Sequence, residues 1–238
     1  MNIDVLIPAR DEEEALAVLL PEIDRGMVRR IVVVDNGSKD ATAKVAADHG
    51  CDVVSCPQPG YGMACLAGMA HIANDPPHIL VFLDGDRSDH PRHLPELFGP
   101  IAAGELDFVL GSRVMGMAEK GSLTVTQRFG NWLSTTLMWL FWGVRYTDLG
   151  PFRAIRWKSL EALGMRDTNF GWTIEMQIKA ALHGLRTREI AVEYRNRIGV
   201  SKISGTINGV IRAGYKILYT IFKYRLLTLF GSGAGKRS

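Results

Sequence analysis

The chain has 238 residues, 47% of them hydrophobic and 22% charged, the balance of an ordinary globular protein with one sizeable core. A formal net charge of +3 says little about partners, and the three cysteines form no CxxC, which argues against a disulfide framework or a zinc ribbon. No run reaches the 18 or so apolar residues a membrane-crossing helix needs, and the start MNIDVLIPAR shows no basic leader, so reduced thiols and a cytoplasmic location are expected.

Apolar, β-branched runs at 3–8, 30–35, 52–56, 79–84 and 107–112 read as strands. Amphipathic stretches of helical length separate them at 12–20, 39–49, 61–74 and 91–100. This alternation predicts an α/β fold, a mostly parallel sheet flanked by helices, with ligands bound beyond the carboxyl ends of the strands. The strands end alike, in PARDEE, DNGSKD, DGDRSD and GSR. After residue 120 the pattern changes: a helix is expected over 124–142, then the turn-rich TDLGPFRA, a helix around 157–163, another from Thr173 to Gly184, and a strand within 185–195. A long amphipathic helix follows over 205–228. From Arg186 onward Glu189 and Glu193 are the only acids against many Lys and Arg, so this end could face phosphates or anionic lipid.

In VDNGSKDAT, Asp35 closes a strand, Asn36-Gly37 forces a turn, and Ser38 or Asp40 can cap the next helix. A carboxylate at that edge suits a base N–H or a ribose hydroxyl. In DGDRSDHP, Asp84 and Asp86 can converge on one hard cation while Gly85 lets the backbone curve, and Mg²⁺ or Mn²⁺ bridging a diphosphate fits this oxygen-rich set. His90 and His93 invite a zinc reading, against which Pro91 and the excess of acids weigh. Arg113 and Arg128 are either phosphate clamps or plain surface charges. Asp148 in TDLGPFRA reads as a loop cap, and Glu175 as the outer face of an amphipathic core helix. The segment YRNRIGVSKISGT is either a solvated basic linker or a loop that closes Arg195 or Arg197, with Lys202, over a phosphate. The helix after it has apolar residues at 207, 210, 211, 217, 218, 221 and 222, with Arg212, Lys216 and Lys223 opposite. That suits a helix lying on an anionic membrane or one packed on the domain.

IPARDEE, VDNGSKDAT, FLDGDRSDHP, GSR, TDLGPFRA and GVSK fall in an order that resembles glycosyltransferase family 2, in particular its polyprenyl-phosphate sugar synthases. The resemblance implies a GT-A fold over 1–204, followed by an amphipathic helical tail over 205–230 and a disordered tail over 231–238. It implies an inverting sugar transfer from a nucleotide-diphosphate sugar with Mg²⁺ or Mn²⁺. The acceptor it points to is a lipid phosphate at the cytoplasmic face of a membrane, with a hydroxyl acceptor or a silent nucleotide-sugar-binding module as alternatives and no nucleic-acid partner. Matched by position, Pro8, Arg10, Glu12 and Asp35 belong to the nucleotide site and Asp84 with Asp86 to the metal. Arg113 and Arg128 fall near the donor phosphates and the acceptor, and Lys202 with Arg197 or Arg195 in the mobile loop. Ser88 stands where a stronger ligand is usual, so the metal shell is expected to draw on Ser88, Asp89 or water as well. A hydroxyl acceptor would need a base, Asp148 first and Glu175 second. A nucleotidyltransferase would carry a glycine-rich N-terminal loop, and IPARDEEEAL has no glycine.

Overall fold

The computed structural model describes residues 1–199 and 207–231. Strand β1 (Ile3–Ala9), helix α1 (Glu13–Glu22), β2 (Arg30–Asp35), α2 (Thr42–Asp48), β3 (Asp52–Ser55), α3 (Tyr61–Ile72) and β4 (Ile79–Phe82) follow the expected alternation. A short 3₁₀ turn (Pro91–His93) leads into α4 (Leu94–Ala102), then β5 (Phe108–Ser112) and α5 (Val125–Trp142). The chain continues through β6 (Arg153–Arg156), α6 (Trp157–Leu163), α7 (Trp172–Leu182), β7 (Thr187–Ala191) and α8 (Ile207–Gly231).

The strands form one seven-stranded sheet in the order β3-β2-β1-β4-β6-β5-β7. All pairings are parallel except those of β6, which runs antiparallel to both β4 and β5. β6 is the strand that the sequence hides. Its four residues, RAIR, include two arginines, and Arg153 is only 1% exposed.

Period-two alternation divides the core between the two faces of the sheet. Leu6, Val32, Val34, Leu80 and Phe82 pack under α3, α6 and α7 together with Cys65, Leu160, Trp172 and Ile178. Val5, Ile7, Ile31, Val33 and Val81 pack under α1 and α4 with Leu16, Leu19, Leu97 and Ile101. In the parallel register, Ala9 lies opposite Asp35 and Leu6 opposite Phe82. The segments following β1, β2 and β4 therefore emerge at one edge, where Arg10, Asp35 and Asp84 were expected to act. The three cysteines are free thiols.

Helix α5 begins at a capping box: Thr124 Oγ1 accepts from the Gln127 amide at 3.2 Å, and Gln127 Oε1 accepts from the Thr124 amide at 2.8 Å. It ends at Gly143 in the left-handed conformation (φ 71°). Of the two readings of its sequence, helix α8 packs on the domain and leaves a second apolar stripe exposed. Ile217, Leu218 and Ile221 face the body, and Lys216 pairs with Asp167 at 2.9 Å, so Lys216 is not on the outer polar face. Outward, Ile211, Tyr215, Tyr219, Phe222, Leu226 and Leu229 form an exposed stripe spaced by three and four residues. Among the described residues, no helix is long and apolar enough to cross a membrane. The tail expected over 231–238 lies, beyond Gly231, outside the described residues.

Candidate active site

The acidic loop after β4 is held from both sides. The Asp86 carboxylate is 8% exposed; its Oδ1 accepts from the Ser88 amide at 2.9 Å and its Oδ2 lies 3.2 Å from Arg197 Nη1. Arg197 also binds Glu12 through Nη2 at 2.7 Å, so this guanidinium bridges the segment after β1 and the acidic loop. The chain running to Arg197 is stitched along the same loop: the Arg195 amide donates to Ser88 O at 2.8 Å and the Ile198 amide to Asp86 O at 3.1 Å. Arg195 itself turns away, donating to the backbone oxygens of Arg87 and Asp89 and pairing with Glu22 at 2.9 Å. Glu22 also takes Arg87, whose backbone adopts the left-handed conformation at φ 64°. Of the two arginines left open by the sequence, Arg197 is the one that meets the acids.

Asp84 accepts a hydrogen bond from the Tyr61 hydroxyl at 3.0 Å. Burial, reinforced by the neighbouring charge of Asp86, pushes its pKa up to about 7. Burial and then Asp84 push the Tyr61 phenol well up, so it stays a donor. Asp89 is 1% exposed, and both carboxylate oxygens are buried with no hydrogen-bond partner among the described residues. Burial, then the Asp84 charge, raises its pKa well above the ordinary carboxylate value.

Arg113, at the end of β5, is gripped by Asp148: Nε to Oδ2 and Nη2 to Oδ1 at 2.7 Å each, with its own amide on Oδ2 at 2.8 Å. Its guanidinium lies 5.0 Å from the centre of the Tyr194 ring. A cavity of about 400 Å³ opens between Tyr61, Asp84, Asp86, Ser88, Arg113 and Arg197. Beside it, a larger apolar cavity of about 1150 Å³ lies between α5 and α8. Arg113, Gln127, Thr173, Ala213 and Ile217 belong to both walls. Arg128, exposed on α5, lines the larger cavity and not the acidic one.

The segment after β1 is tied to the one after β2: the Asp11 amide donates to Ser38 Oγ at 2.9 Å and the Glu12 amide to Thr42 Oγ1 at 2.8 Å. Asp35 Oδ1 accepts from the Ser38 amide at 3.0 Å, so it shapes its own turn. Pro8 pairs with Val34 within the sheet, and Arg10 is exposed at the sheet edge. His90 caps the short turn through Nδ1, and His93 Nδ1 faces Glu96 at 3.2 Å; neither is on the cavity wall. Lys202 lies outside the described residues.

Three expectations require correction. No three His, Cys, Asp or Glu side chains among the described residues form a metal-holding group, so the trio Asp84, Asp86 and Asp89 does not close into a shell. Asp89 is 1% exposed, beside the bridge its backbone makes with Tyr194, and is not on the wall of the cavity that Asp84 and Asp86 line. Two cavity-wall carboxylates, Asp84 and Asp86, with oxygen-only chemistry still suit Mg²⁺ or Mn²⁺, which take few protein ligands and complete their shell with phosphate oxygens and water. Asp148 does not stand free as a base, because Oδ1 takes Arg113 and the Leu149 amide and Oδ2 takes Arg113 twice. Glu175 is 1% exposed instead of facing outward, and it receives Lys179, Tyr224 and the amides of Arg166 and Asp167. Tyr61, Tyr194 and Gln127, which the sequence reading passed over, do line the acidic cavity; only the GYG start of α3 offered a signal for the first.

The sequence model described as Glycosyl transferase family 2 matches residues 4–164. An uncharacterised glycosyltransferase of Mycobacterium tuberculosis is 37% identical over 214 residues, covering 89% of this chain and 94% of that protein. A dolichyl-phosphate hexose transferase of Haloferax volcanii is 30% identical, covering 87% and 89%. Among solved structures, glucosyl-3-phosphoglycerate synthase of Mycobacterium tuberculosis with Mn²⁺, uridine-diphosphate-glucose and phosphoglyceric acid superposes with a TM-score of 0.74 at 22% identity, covering 94% of this chain and 79% of that one. That likeness extends the fold to a GT-A glycosyltransferase. With its acids and arginines gathered at the carboxyl edge of such a sheet, the chain belongs to glycosyl transferase family 2.

Proposed function

We propose that this glycosyltransferase moves a sugar, with inversion, from a nucleotide-diphosphate sugar to a polyprenyl phosphate at a membrane surface. The observation that carries the acceptor is the occupation of both candidate bases: Asp148 is saturated by Arg113 and backbone amides, and Glu175 by Lys179, Tyr224 and amides. A hydroxyl acceptor needs a group to take its proton, whereas a phosphate is already ionised and attacks unaided. An apolar cavity several times larger than a sugar site, joined to the acidic cavity at Arg113 and Gln127, suits an acceptor with a hydrocarbon chain. A Haloferax volcanii relative is named for a dolichyl-phosphate acceptor, which supports the same reading.

In this reading Asp84 and Asp86 hold a divalent cation, which when bound neutralises charge on the donor diphosphate. Arg113, locked by Asp148, presents a fixed cation to the leaving nucleoside diphosphate, and Arg197 does so from the opposite wall. Glu12 keeps Arg197 in place. Asp35 and Arg10, at the same edge, serve the nucleoside, and Arg128 at the mouth of the apolar cavity meets the acceptor phosphate. Lys202 remains proposed for the loop beyond Gly199. The enzyme is peripheral, at the cytoplasmic face.

The test is thermal stabilisation by a panel of sugar nucleotides with and without Mn²⁺, followed by transfer to a polyprenyl phosphate and to a lipid alcohol of the same chain. Metal-dependent stabilisation by at least one donor and transfer to the phosphate alone are expected; transfer to the alcohol alone overturns the acceptor.

The outer stripe of α8 gives a second expectation. Exposed Ile211, Tyr215 and Phe230 with Arg212 and Lys223 should carry the protein to the top of a gradient with phosphatidylglycerol vesicles, less so in high salt. The double substitution Ile211→Ser and Phe230→Ser, at 62% and 78% exposed positions, should weaken that binding about tenfold or more. Flotation unchanged by both salt and the substitutions removes α8 from membrane contact.

A further inference from the structure

Tyr61 belongs to no motif described so far, yet it lines the acidic cavity and makes the one hydrogen bond that Asp84 accepts among the described residues, at 3.0 Å. The chain around it is built with little room for adjustment. Gly60 has φ 146°, and a Cβ there would fall 2.3 Å from Thr168 O. At Gly62 a Cβ would fall 2.1 Å from Asp167 O and 2.7 Å from the Thr168 carbonyl carbon. The Met63 amide donates to Thr168 O at 2.9 Å, so the first turn of α3 lies directly on the segment preceding α7.

From the other side, Asn36 clamps the loop leading into α3. Its side chain is 7% exposed, donates to Cys56 O at 2.8 Å and Gln58 O at 2.6 Å, and accepts from the Gly60 amide at 2.9 Å. Asn36 immediately follows Asp35, so the neighbour of the residue proposed for the nucleoside fixes the loop that carries Tyr61. Two glycines and a buried amide together set one phenol against one carboxylate.

We infer that Tyr61 is a donor-positioning residue: it fixes Asp84 in a single orientation with one oxygen engaged, leaving the other for the donor and its cation. This rests on the donor-site reading above. Without the hydroxyl, Asp84 keeps its place in the chain but loses the contact that selects its rotamer. The effect therefore falls on binding of the metal–nucleotide pair more than on turnover.

The experiment compares the wild-type protein with Tyr61→Phe, which keeps the ring and its packing. Calorimetric titrations with UDP and with GDP, each with Mn²⁺, read the affinity, and the ligand-free melting temperature reads the fold. The expected result is a loss of about tenfold in nucleotide affinity, as for a hydrogen bond to a charged group, with the melting temperature nearly unchanged. In steady-state assays the donor KM should rise by a similar factor, with kcat and the acceptor KM moving much less. Equal affinity in the two proteins overturns the inference and leaves the donor site standing. A loss of affinity accompanied by a large fall in melting temperature also overturns it, assigning Tyr61 to stability alone. A wild-type protein that binds neither nucleotide overturns the donor-site reading and the inference with it.

Discussion

Asp86→Ala should lower kcat/KM for sugar transfer by about a thousandfold, a loss of about 4 kcal/mol in transition-state stabilisation. The size follows from how many jobs the carboxylate holds. It is on the cavity wall, it faces Arg197 at 3.2 Å, and it accepts the Ser88 amide that shapes the loop. Alanine removes all three, so Asp86→Asn is the sharper variant. Asparagine can still accept from Ser88, which preserves the loop, but it carries no charge to hold a divalent cation or to oppose Arg197. Its activity should fall nearly as far as that of the alanine variant, and the Mn²⁺ concentration needed for half-maximal rate should rise. Retention of more than half of wild-type activity by Asp86→Asn would remove the metal role from this residue.

Asp89→Asn is the internal comparison. Asp89 lies three residues further on in an equally acidic stretch, but it is off the cavity wall, and burial and Asp84 raise its pKa, which favours its neutral form. An amide of similar size replaces a buried acid that does not line the cavity, so activity should stay within the same order of magnitude. Equal losses at positions 86 and 89 would place both acids on the cation.

The central strands β1, β2 and β4 were legible because they are buried on both faces and therefore read as unbroken apolar runs, as in VLIP, IVVVD and ILVF. β6 was not, since its pairing with β4 and β5 is non-local and its burial includes the charged Arg153, which bonds the Gly150 and Thr173 carbonyls. The acids at the strand ends were legible from position alone. Their partners were not: nothing near Asp148 announces Arg113, 35 residues earlier, and nothing near Glu175 announces Tyr224, 49 residues later. Both carboxylates read locally as available for chemistry, and tertiary structure commits both to cations. Asn36 shows the converse, a residue read as a turn former that folds inward to hold a loop more than 20 residues away.

Glu175→Ala should destabilise the fold by about 3–5 kcal/mol, because it strands the other members of a buried cluster. Lys179 Nζ lies 2.8 Å from the carboxylate and is itself only 10% exposed in its side chain. The Tyr224 hydroxyl at 2.6 Å and the Asp167 amide at 2.7 Å would also lose their acceptor. Lys179 retains Gly164 O at 2.6 Å, which keeps the estimate at the lower part of the range. In a chain of this size the melting temperature should fall by about 6–15 °C. Tyr224→Phe removes one hydrogen bond and leaves the ion pair, so its cost should be about 1 kcal/mol. Acid titration separates the charge from the packing. Burial alone would raise the Glu175 pKa, but the hydrogen bonds from Lys179 and Tyr224 outweigh it and hold the pKa below the ordinary 4.5. A depressed carboxylate stabilises the fold fully above its unfolded value and loses that contribution as pH falls through the folded one. The stability gap between wild type and Glu175→Gln should therefore be constant above pH 5 and narrow below about 4.5 as the native carboxylate takes up its proton. A gap that stays unchanged down to full acid unfolding would show that Glu175 acts through shape alone. Because Glu175 anchors Tyr224 of α8 to α7, the same variants should loosen the helix that walls both cavities at Ala213 and Ile217, and proteolysis within 207–231 should quicken in step with the measured loss of stability.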